Sequence, residues 1–509
     1  MAQFPGEAPK GTDLITSSKT DEPSVSPPME TYQRIGLVLG PALFVLLLAV
    51  ENRQEAMPPD AWRVAAIGIW MAIWWATEAI PVSATALLPI VAFAPLDIAT
   101  IREAAEPYAN PIIYLFMGGF IMALALEKWN LHRRIALAIL ARVGTDGRRL
   151  IAGFMLVCAL LSMWMTNTST TMMLLPIIFS VICVIRDNVE NLSHRARSNF
   201  EIAMLLGLAY SASIGGLATL VGTPPNALLI GFMAENYGIE ISFARWMLVG
   251  VPVTLIMLPI AWLLLTRIVF RVDLAASDAV NQHLCEMREK IGPMTTPEKR
   301  VAVIFGLVVL CWLLRRPVTE WLGLTGISDP GIVMTAAILL FMLPSGDRSR
   351  PRLMTWEDAG RLPWGVLILF GGGLSLAAAV SDSGLALWLG ESLAPLNALG
   401  TTVLLVAAVT LVIFLTELTS NLATTATLLP VVGAIALQAG VPPIMLTVPV
   451  AIAASCAFML PVATPPNAIV FATGAISIPQ MVRAGIALNI AGIVTVTLIS
   501  LFAAPWLLG

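Results

Sequence analysis

Long apolar segments separated by short polar ones dominate the chain from residue 35 onward. A helix needs about 20 apolar residues to cross a bilayer, and the spacing of the segments predicts an all-α polytopic membrane protein with about 11 transmembrane helices. A tail at 1–34, rich in Pro, Ser and Thr, is expected to be disordered. The predicted spans or part-spans are 35–50, 62–79, 82–96, 111–127, 200–218, 241–269, 301–314, 330–343, 364–380, 441–460 and 484–508.

Two further regions each carry a polar elbow between apolar arms. Residues 150–185 contain no Asp, Glu, Lys or Arg and are interrupted by TNTSTT at 166–171. Each arm is shorter than the roughly 20 residues of a full crossing, and irregular backbone inside a bilayer must be buried in protein or line a cavity. We therefore predict a re-entrant hairpin at 150–185, and a second at 400–438 with the elbow TSNLATT at 419–425.

These features occur twice in the same order. Asn167 and Asn421 are 254 positions apart, as are Pro176 and Pro430, and TPPN at 223–226 recurs at 464–467. Consecutive prolines forbid a continuous helix, so each copy predicts one hairpin and one broken helix. The predicted divisions are the tail 1–34, a first span and loop at 35–61, a first inverted repeat at 62–270 with its broken helix at 200–234, a loop at 271–300, and a second inverted repeat at 301–509 with its broken helix at 441–473.

Positive charge predicts the orientation. Five arginines (Arg133, Arg134, Arg142, Arg148, Arg149) precede the first hairpin, and the loop at 271–300 carries several more basic residues. Because Lys and Arg favour the cytoplasmic side, we expect a multi-pass inner-membrane protein with a cytoplasmic N-terminus. Arg315 and Arg316 depart mildly from this rule. Amphipathic helices are predicted at 131–142 and 384–396, where they would link a moving hairpin unit to the rest.

Composition narrows the class of function. The 509 residues are 58% hydrophobic and 12% charged, which excludes a soluble enzyme, and a net charge of -3 gives no basic stripe for nucleic acid. The five cysteines form no CxxC pair and the three histidines lie in polar connecting segments, so zinc or redox chemistry is not expected. The sequence predicts a protein that is not an enzyme.

The two elbows have the chemistry of a transport site. Broken helices of inverted repeats that meet at the midplane typically form the site of a secondary transporter, where helix N-termini attract anions and Asn, Ser and Thr oxygens ligate cations. Neither elbow contains Lys, Arg or His, so we expect co-bound sodium to neutralise a dianion and to bind before it. The alternative for these polar residues is helix-to-helix hydrogen bonding. Glu78 and Glu417 are the acidic residues nearest the apolar interior. Two roles are considered for them: hydrogen bonding within the scaffold, and coupling to an ion or a proton.

The segment ASCAFMLPVATPPNAIV at 454–470 resembles the signature of the divalent anion:sodium symporters, and both elbows resemble the paired Ser-Asn-Thr motifs of that family. The resemblance implies a homodimer with an elevator mechanism. It also implies a first sodium site of Ser162, Thr166, Asn167 and Gly215 and a second of Thr416, Thr419, Asn421 and Ala463. The implied substrate-binding residues are Asn167, Thr168, Gly216, Ser420, Asn421, Leu422, Thr464 and Pro465.

Two residues depart from the family pattern. Thr166 replaces a serine and keeps the hydroxyl, whereas Leu422 replaces a threonine and places an apolar side chain at the substrate. The expected function is sodium-coupled symport of a divalent organic anion, first of all a C4-dicarboxylate, into the cytoplasm. The alternatives are a sodium-independent dicarboxylate exchanger, a citrate or sulfate carrier on the same fold, and a channel or a subunit without transport of its own, which the duplicated broken helices disfavour.

Overall fold

The computed structural model describes residues 29–55, 57–188, 193–323, 326–393 and 400–502. Most of the predicted tail therefore lies outside the described residues, as do the last residues of the predicted helix at 384–396 and of the predicted span at 484–508. Within the described ranges the chain is helical, apart from loops and one isolated β-bridge between Pro344 and Arg352.

The first part of the chain holds two long helices and several short ones. They are α1 (Thr31–Val50), α2 (Pro59–Thr77), α3 (Val82–Thr85), α4 (Leu88–Ala92) and α5 (Ile101–Ala105). The segment at 82–96, predicted as a span or part-span, is a short apolar helical segment at Val82–Ala92 that divides into α3 and α4, followed by a 3-10 turn at Ala94–Leu96. Pro81, Pro89 and Pro95 each stand at the start of one of these pieces, where proline is tolerated, and prevent one continuous helix.

Seven more helices follow within the predicted first repeat at 62–270. They are α6 (Pro111–Lys128), α7 (Leu131–Val143), α8 (Gly147–Ser162), α9 (Asn167–Asn188), α10 (His194–Gly216), α11 (Pro224–Tyr237) and α12 (Phe243–Leu263), which continues as a π-helical turn at Leu264–Val269. Four helices follow, namely α13 (Asp278–Ile291), α14 (Thr296–Leu322), α15 (Asp329–Met342) and α16 (Trp356–Ala359).

Within the predicted second repeat at 301–509, the elements from α17 onward follow the same order as those from α6. They are α17 (Trp364–Asp382), α18 (Leu385–Leu393), α19 (Thr401–Thr416), α20 (Asn421–Gln438), α21 (Ile444–Ala453), a 3-10 turn (Pro461–Ala463), α22 (Pro465–Phe471) and α23 (Ile478–Phe502). The first residues of α7 and α18, of α8 and α19, and of α9 and α20 are each 254 positions apart. The internal repeat read from sequence landmarks therefore extends to the helix boundaries.

Eight helical segments of the described residues are long and apolar enough to cross a membrane, and four shorter apolar helical segments accompany them. The shorter ones include α15, α19 and α21. The pairs α8–α9 and α19–α20 are helix-turn-helix units, and the pairs α10–α11 and α21–α22 are interrupted by non-helical backbone, as the two elbows and the two TPPN segments predict.

The two repeats meet through these elements. The hairpin helix α9 packs against α10 of its own repeat and against α22 of the other. The hairpin helix α20 packs against α21 of its own repeat and against α11 of the other. Each broken helix therefore contacts at least one helix of each hairpin. As a result, the elbows and the helix breaks of both repeats lie close together.

Charged residues outside this region are held by local partners. The Arg315 Nε lies 2.6 Å from Asp329 Oδ1, and the Asp329 carboxylate also accepts the backbone N–H of Phe243 at 2.9 Å. Asp329 is buried, with 6% of its surface exposed. The arginine that departs from the positive-charge rule thus carries a neutralising carboxylate.

Candidate functional site

The first elbow is the turn between α8 and α9. Ser162 ends α8 and Asn167 begins α9. The Ser162 hydroxyl lies 2.7 Å from Asn167 Oδ1 and 2.7 Å from the carbonyl oxygen of Ala212 on α10. Thr171, one turn along α9, donates to the Asn167 carbonyl at 2.8 Å. Three oxygens therefore converge at a buried point where the one hydroxyl supplies a single proton.

The second elbow repeats this arrangement atom for atom. The Thr416 hydroxyl lies 2.9 Å from Asn421 Oδ1 and 2.9 Å from the carbonyl oxygen of Ala454. Thr425 donates to the Asn421 carbonyl at 2.8 Å. A threonine replaces the serine of the first elbow, but the hydroxyl, the amide oxygen and the carbonyl keep their roles. The two elbows differ in sequence but have the same hydrogen-bond pattern. The arrangement of three oxygens is therefore duplicated, which incidental helix packing does not explain.

An asparagine closes the helix break of each repeat. Asn226 of the first TPPN donates its side-chain N–H groups to the Thr219 carbonyl at 2.8 Å and to the Gly216 carbonyl at 3.3 Å. Asn467 of the second TPPN donates to Leu460 and Ala457 carbonyls at 3.1 and 3.2 Å. Both asparagines are fully buried. They satisfy carbonyls that the broken helices leave without a helical donor.

Glu417 holds the second break to the second elbow. Its carboxylate accepts the backbone N–H groups of Phe458, Met459 and Leu460 at 2.7 to 3.0 Å, and the side chain of Asn489 at 2.8 Å. Glu417 is buried, with 3% of its surface exposed. All of these partners are hydrogen-bond donors of the protein itself. Of the two interpretations drawn from the sequence, this geometry favours scaffold hydrogen bonding.

A cavity of about 1010 Å³ opens where the elbows and breaks meet. Apolar side chains such as Trp75, Phe120 and Leu369 form part of its wall. The predicted site residues on the wall are Thr166, Asn167, Thr168, Thr419, Ser420, Asn421, Leu422, Ala463, Thr464 and Pro465. The structure thus brings residues from both elbows and from the second TPPN to one surface, and Thr223, Pro224 and Pro225 of the first TPPN join them.

Four predicted residues do not line this cavity. Ser162 and Thr416 are fully buried behind the asparagines whose oxygens they contact. Gly215 and Gly216, at the end of α10, are also buried. Gly216 approaches Asn167 closely: a Cβ there would come within 2.6 Å of Asn167 Oδ1. The Gly216 position belongs behind the first elbow, beside the predicted sodium ligands.

The Leu422 side chain lies on the cavity wall in the first turn of α20. It is 5% exposed, and the residue at the matching place of the first elbow is Thr168. One side of the cavity therefore presents a hydroxyl where the other presents an aliphatic side chain. The two halves of the wall are unequal at this position.

The electrostatics of the cavity come from helix ends and neutral oxygens. Helices α9 and α20 both begin on its wall, and the N-cap Ser420 side chain accepts no hydrogen bond from the first turn of α20. Helix N-termini carry partial positive charge and free N–H groups, so they suit an anion. Among the described wall residues, the one basic side chain is Arg361, which forms an ion pair with Glu127 at 2.6 Å. Glu78 is exposed on the wall, with a left-handed backbone (φ 46°) at the end of α2.

Sequence reasoning missed several residues of this arrangement. The carbonyls of Ala212 and Ala454 carry no side-chain signal. Thr171 and Thr425, however, are 254 positions apart and lie four residues after the elbow asparagines, so the repeat register itself was a signal for them. The contact between the Thr223 and Ser455 hydroxyls, 3.4 Å apart across the two breaks, has no local pattern.

The helical fold, the duplicated breaks and the shared cavity define a multi-pass membrane transporter. The chain belongs to the sodium:sulfate symporter family, because the family described as "Sodium:sulfate symporter transmembrane region" matches residues 34–508. Its members are transporters, and this protein is not an enzyme.

The chain is similar to curated transporters over nearly its whole length. It is 42% identical over 485 residues to the sodium-dependent dicarboxylate transporter SdcS of Staphylococcus aureus strains MRSA252 and USA300, covering 95% of this chain and 93% of each relative. Among solved structures it resembles in fold the YdaH transporter of Alcanivorax borkumensis, with a TM-score of 0.50, 16% sequence identity, and coverage of 86% of this chain and 99% of that one.

Proposed function

We propose that this protein is a sodium-coupled symporter that carries a C4-dicarboxylate into the cytoplasm. The observation that carries the proposal is the pair of equivalent oxygen clusters, Ser162–Asn167–Ala212 and Thr416–Asn421–Ala454, beside one cavity. The relatives named sodium-dependent dicarboxylate transporter support the choice of cation and of substrate class.

The oxygen clusters suit sodium. In each cluster a hydroxyl, an amide oxygen and a backbone carbonyl approach within 2.7 to 2.9 Å of one another with one hydroxyl proton to share. A hard monovalent cation favours such neutral oxygen ligands. One hydroxyl proton cannot bridge all three oxygens, and a bound cation would offset the repulsion between their lone pairs. We assign the first sodium ion to Ser162, Thr166, Asn167 and Gly215, and the second to Thr416, Thr419, Asn421 and Ala463.

Sodium would prepare the cavity for the dianion. Bound carboxylates would contact the first turns of α9 and α20 and the second break, through Asn167, Thr168, Ser420, Asn421, Thr464 and Pro465. Because the basic residue on the described wall is already paired with Glu127, two negative charges would lack compensation there without sodium. Sodium therefore binds first, and the asymmetry between Thr168 and Leu422 makes one carboxylate end more loosely held than the other.

We further propose an elevator mechanism in a homodimer of the inner membrane. The units α8–α9 and α19–α20 would act as re-entrant hairpins that enter from opposite sides, since the repeats are inverted, and would move together with the broken helices. The amphipathic helices α7 and α18 join them to the rest of the molecule. The resemblance to the divalent anion:sodium symporters supports this picture, as do the helix breaks that line a cavity.

Uptake of labelled succinate into proteoliposomes tests the function and the substrate class together. We expect uptake that follows an inward sodium gradient, and inhibition by unlabelled succinate that is stronger than inhibition by citrate or sulfate. If sulfate or citrate inhibits uptake more strongly than succinate does, that anion is the preferred substrate, and the protein is still a sodium-coupled symporter. An unchanged uptake rate when sodium is replaced by potassium would contradict the assignment of the oxygen clusters.

A further inference from the structure

A second pocket lies outside the substrate cavity and shares no lining residue with it. It has a volume of about 840 Å³. Its walls come from the junction of α6 and α7, the end of α13, the beginning of α14 and the loop after α15. The lining residues with basic side chains are Lys128, Arg133, Lys290, Arg348 and Arg350.

Most of this positive charge has no acidic partner. Lys128 is paired with Asp358 at 2.6 Å. The buried Glu298 of the lining is used by Arg134, which lies 2.9 Å from it. The remaining lining acid, Asp347, is exposed, and the backbone N–H of Ser349 lowers its pKa. Arg350 interacts electrostatically with Asp347. For Arg133, Lys290 and Arg348 the described ion pairs include no carboxylate, so the pocket keeps a surplus of positive charge.

Hydrogen bonds and an ion pair within the protein hold the residues around the pocket in place. Arg134 donates to the carbonyl of Gly292 at 2.9 Å in addition to its ion pair, which fixes α7 to the connection between α13 and α14. Trp129 is buried and donates to the Leu353 carbonyl at 2.9 Å. The Arg350 guanidinium lies 6.0 Å from the Trp129 ring, which orients it over the pocket.

The pocket also includes the turn between α6 and α7, which is called the α6–α7 hinge below. Asn130, on its wall, has a left-handed backbone (φ 55°) between α6 and α7, and Gly384 holds the matching place, 254 positions later, with φ 80°. The left-handed conformation is strained for most residues and is common at chain reversals. Helix α7 leads directly to the first hairpin, so a ligand here would connect the hinge to α14 and the loop at 346–350.

We propose that this pocket binds a phosphate-bearing anion, either the headgroup of an acidic lipid or a soluble phosphate compound, and thereby restrains the α6–α7 hinge. Arginine forks match phosphate oxygens through paired hydrogen bonds. Basic clusters at the cytoplasmic surface of a membrane attract acidic headgroups, and the positive charge of this region predicts that surface.

Thermal unfolding of the purified protein tests the proposal without requiring transport. The pocket variant is Arg133→Gln with Lys290→Gln, and the control is Arg142→Gln with Lys299→Gln, which removes the same charges from exposed positions outside the pocket. One arm adds pyrophosphate in detergent against sodium chloride of equal ionic strength. The other compares nanodiscs with and without phosphatidylglycerol.

We expect pyrophosphate, phosphatidylglycerol or both to stabilise the wild type and the control, and the pocket variant to need at least about tenfold more of the anion. A response in one arm alone identifies the source of the phosphate. Absence of stabilisation in both arms, or equal responses of the two variants, would overturn the proposal. Stabilisation by sodium with succinate should be the same in both variants, which separates this result from any failure of the transport site.

Discussion

Replacing Glu417 by glutamine tests how the second helix break is held in place. The carboxylate accepts three backbone N–H groups of the break and one side-chain amide, and it is almost fully buried. Glutamine keeps one acceptor oxygen but turns the other into an N–H donor. If the oxygen stays toward Phe458 and Asn489, the new donor faces the N–H of Leu460.

The magnitude follows from the donors that lose their partner. Leu460 loses its hydrogen bond and Met459 loses one of two. The Leu460 N–H and the new glutamine N–H then both lack an acceptor, and since an unsatisfied buried donor costs about 1–3 kcal/mol, Glu417→Gln should destabilise the break by about 2–6 kcal/mol. Because residues 458–460 connect to Ala463 of the proposed second sodium site, sodium binding should weaken by at least about tenfold.

Thermal unfolding at increasing sodium concentration measures both effects. We expect a lower unfolding temperature for Glu417→Gln and a higher sodium concentration at half-maximal stabilisation. Glu320→Gln removes an exposed acid from α14 and serves as the control, which should match the wild type. A Glu417→Gln protein with wild-type stability but altered pH dependence of uptake would refute the scaffold role and favour proton coupling.

Four further substitutions test the elbows and the cavity wall. Asn167→Ala and Asn421→Ala each remove an oxygen of one cluster and should weaken sodium stabilisation at least about tenfold; a full sodium response in both would show that the clusters do not hold the ion. Leu422→Thr restores a hydroxyl and should change the relative inhibition of succinate uptake by citrate and sulfate by about threefold or more, while an unchanged profile would remove Leu422 from the site. Gly216→Ala places a Cβ 2.6 Å from Asn167 Oδ1 and should lower sodium affinity, whereas Gly306→Ala, which meets no atom within 4 Å, should not; equal sodium affinity of these two variants would contradict the close approach.

The order of the elements was predictable because the repeat leaves landmarks. The elbow asparagines, the TPPN prolines and the uncharged arms mark hairpins and helix breaks through backbone chemistry that acts locally. The division of the segment at 82–96 into α3, α4 and a 3-10 turn was not predicted, although Pro89 and Pro95 stand at the starts of two of the pieces. Helix boundaries in the repeats agree with the sequence landmarks because both copies end their helices at the same places.

The part of the site that could be predicted from the sequence is the part formed by side chains. Hydroxyls and amides at the elbows could be named, but the carbonyls of Ala212 and Ala454 are supplied by backbone that any residue provides. The role of Glu417 depends on a contact to residues more than forty positions away. The close approach of Gly216 to Asn167 Oδ1 depends on how α10 packs against the first elbow, which the sequence does not specify.

Coupling of dicarboxylate entry to sodium is most directly measured as the initial rate of succinate uptake into proteoliposomes that contain no dicarboxylate. The rate is compared with and without an inward sodium gradient, and then with succinate inside. We predict uptake into the empty vesicles only with the sodium gradient, responding to membrane potential if more sodium charge than substrate charge enters. Uptake that ignores sodium and requires internal succinate would contradict the account and identify an exchanger.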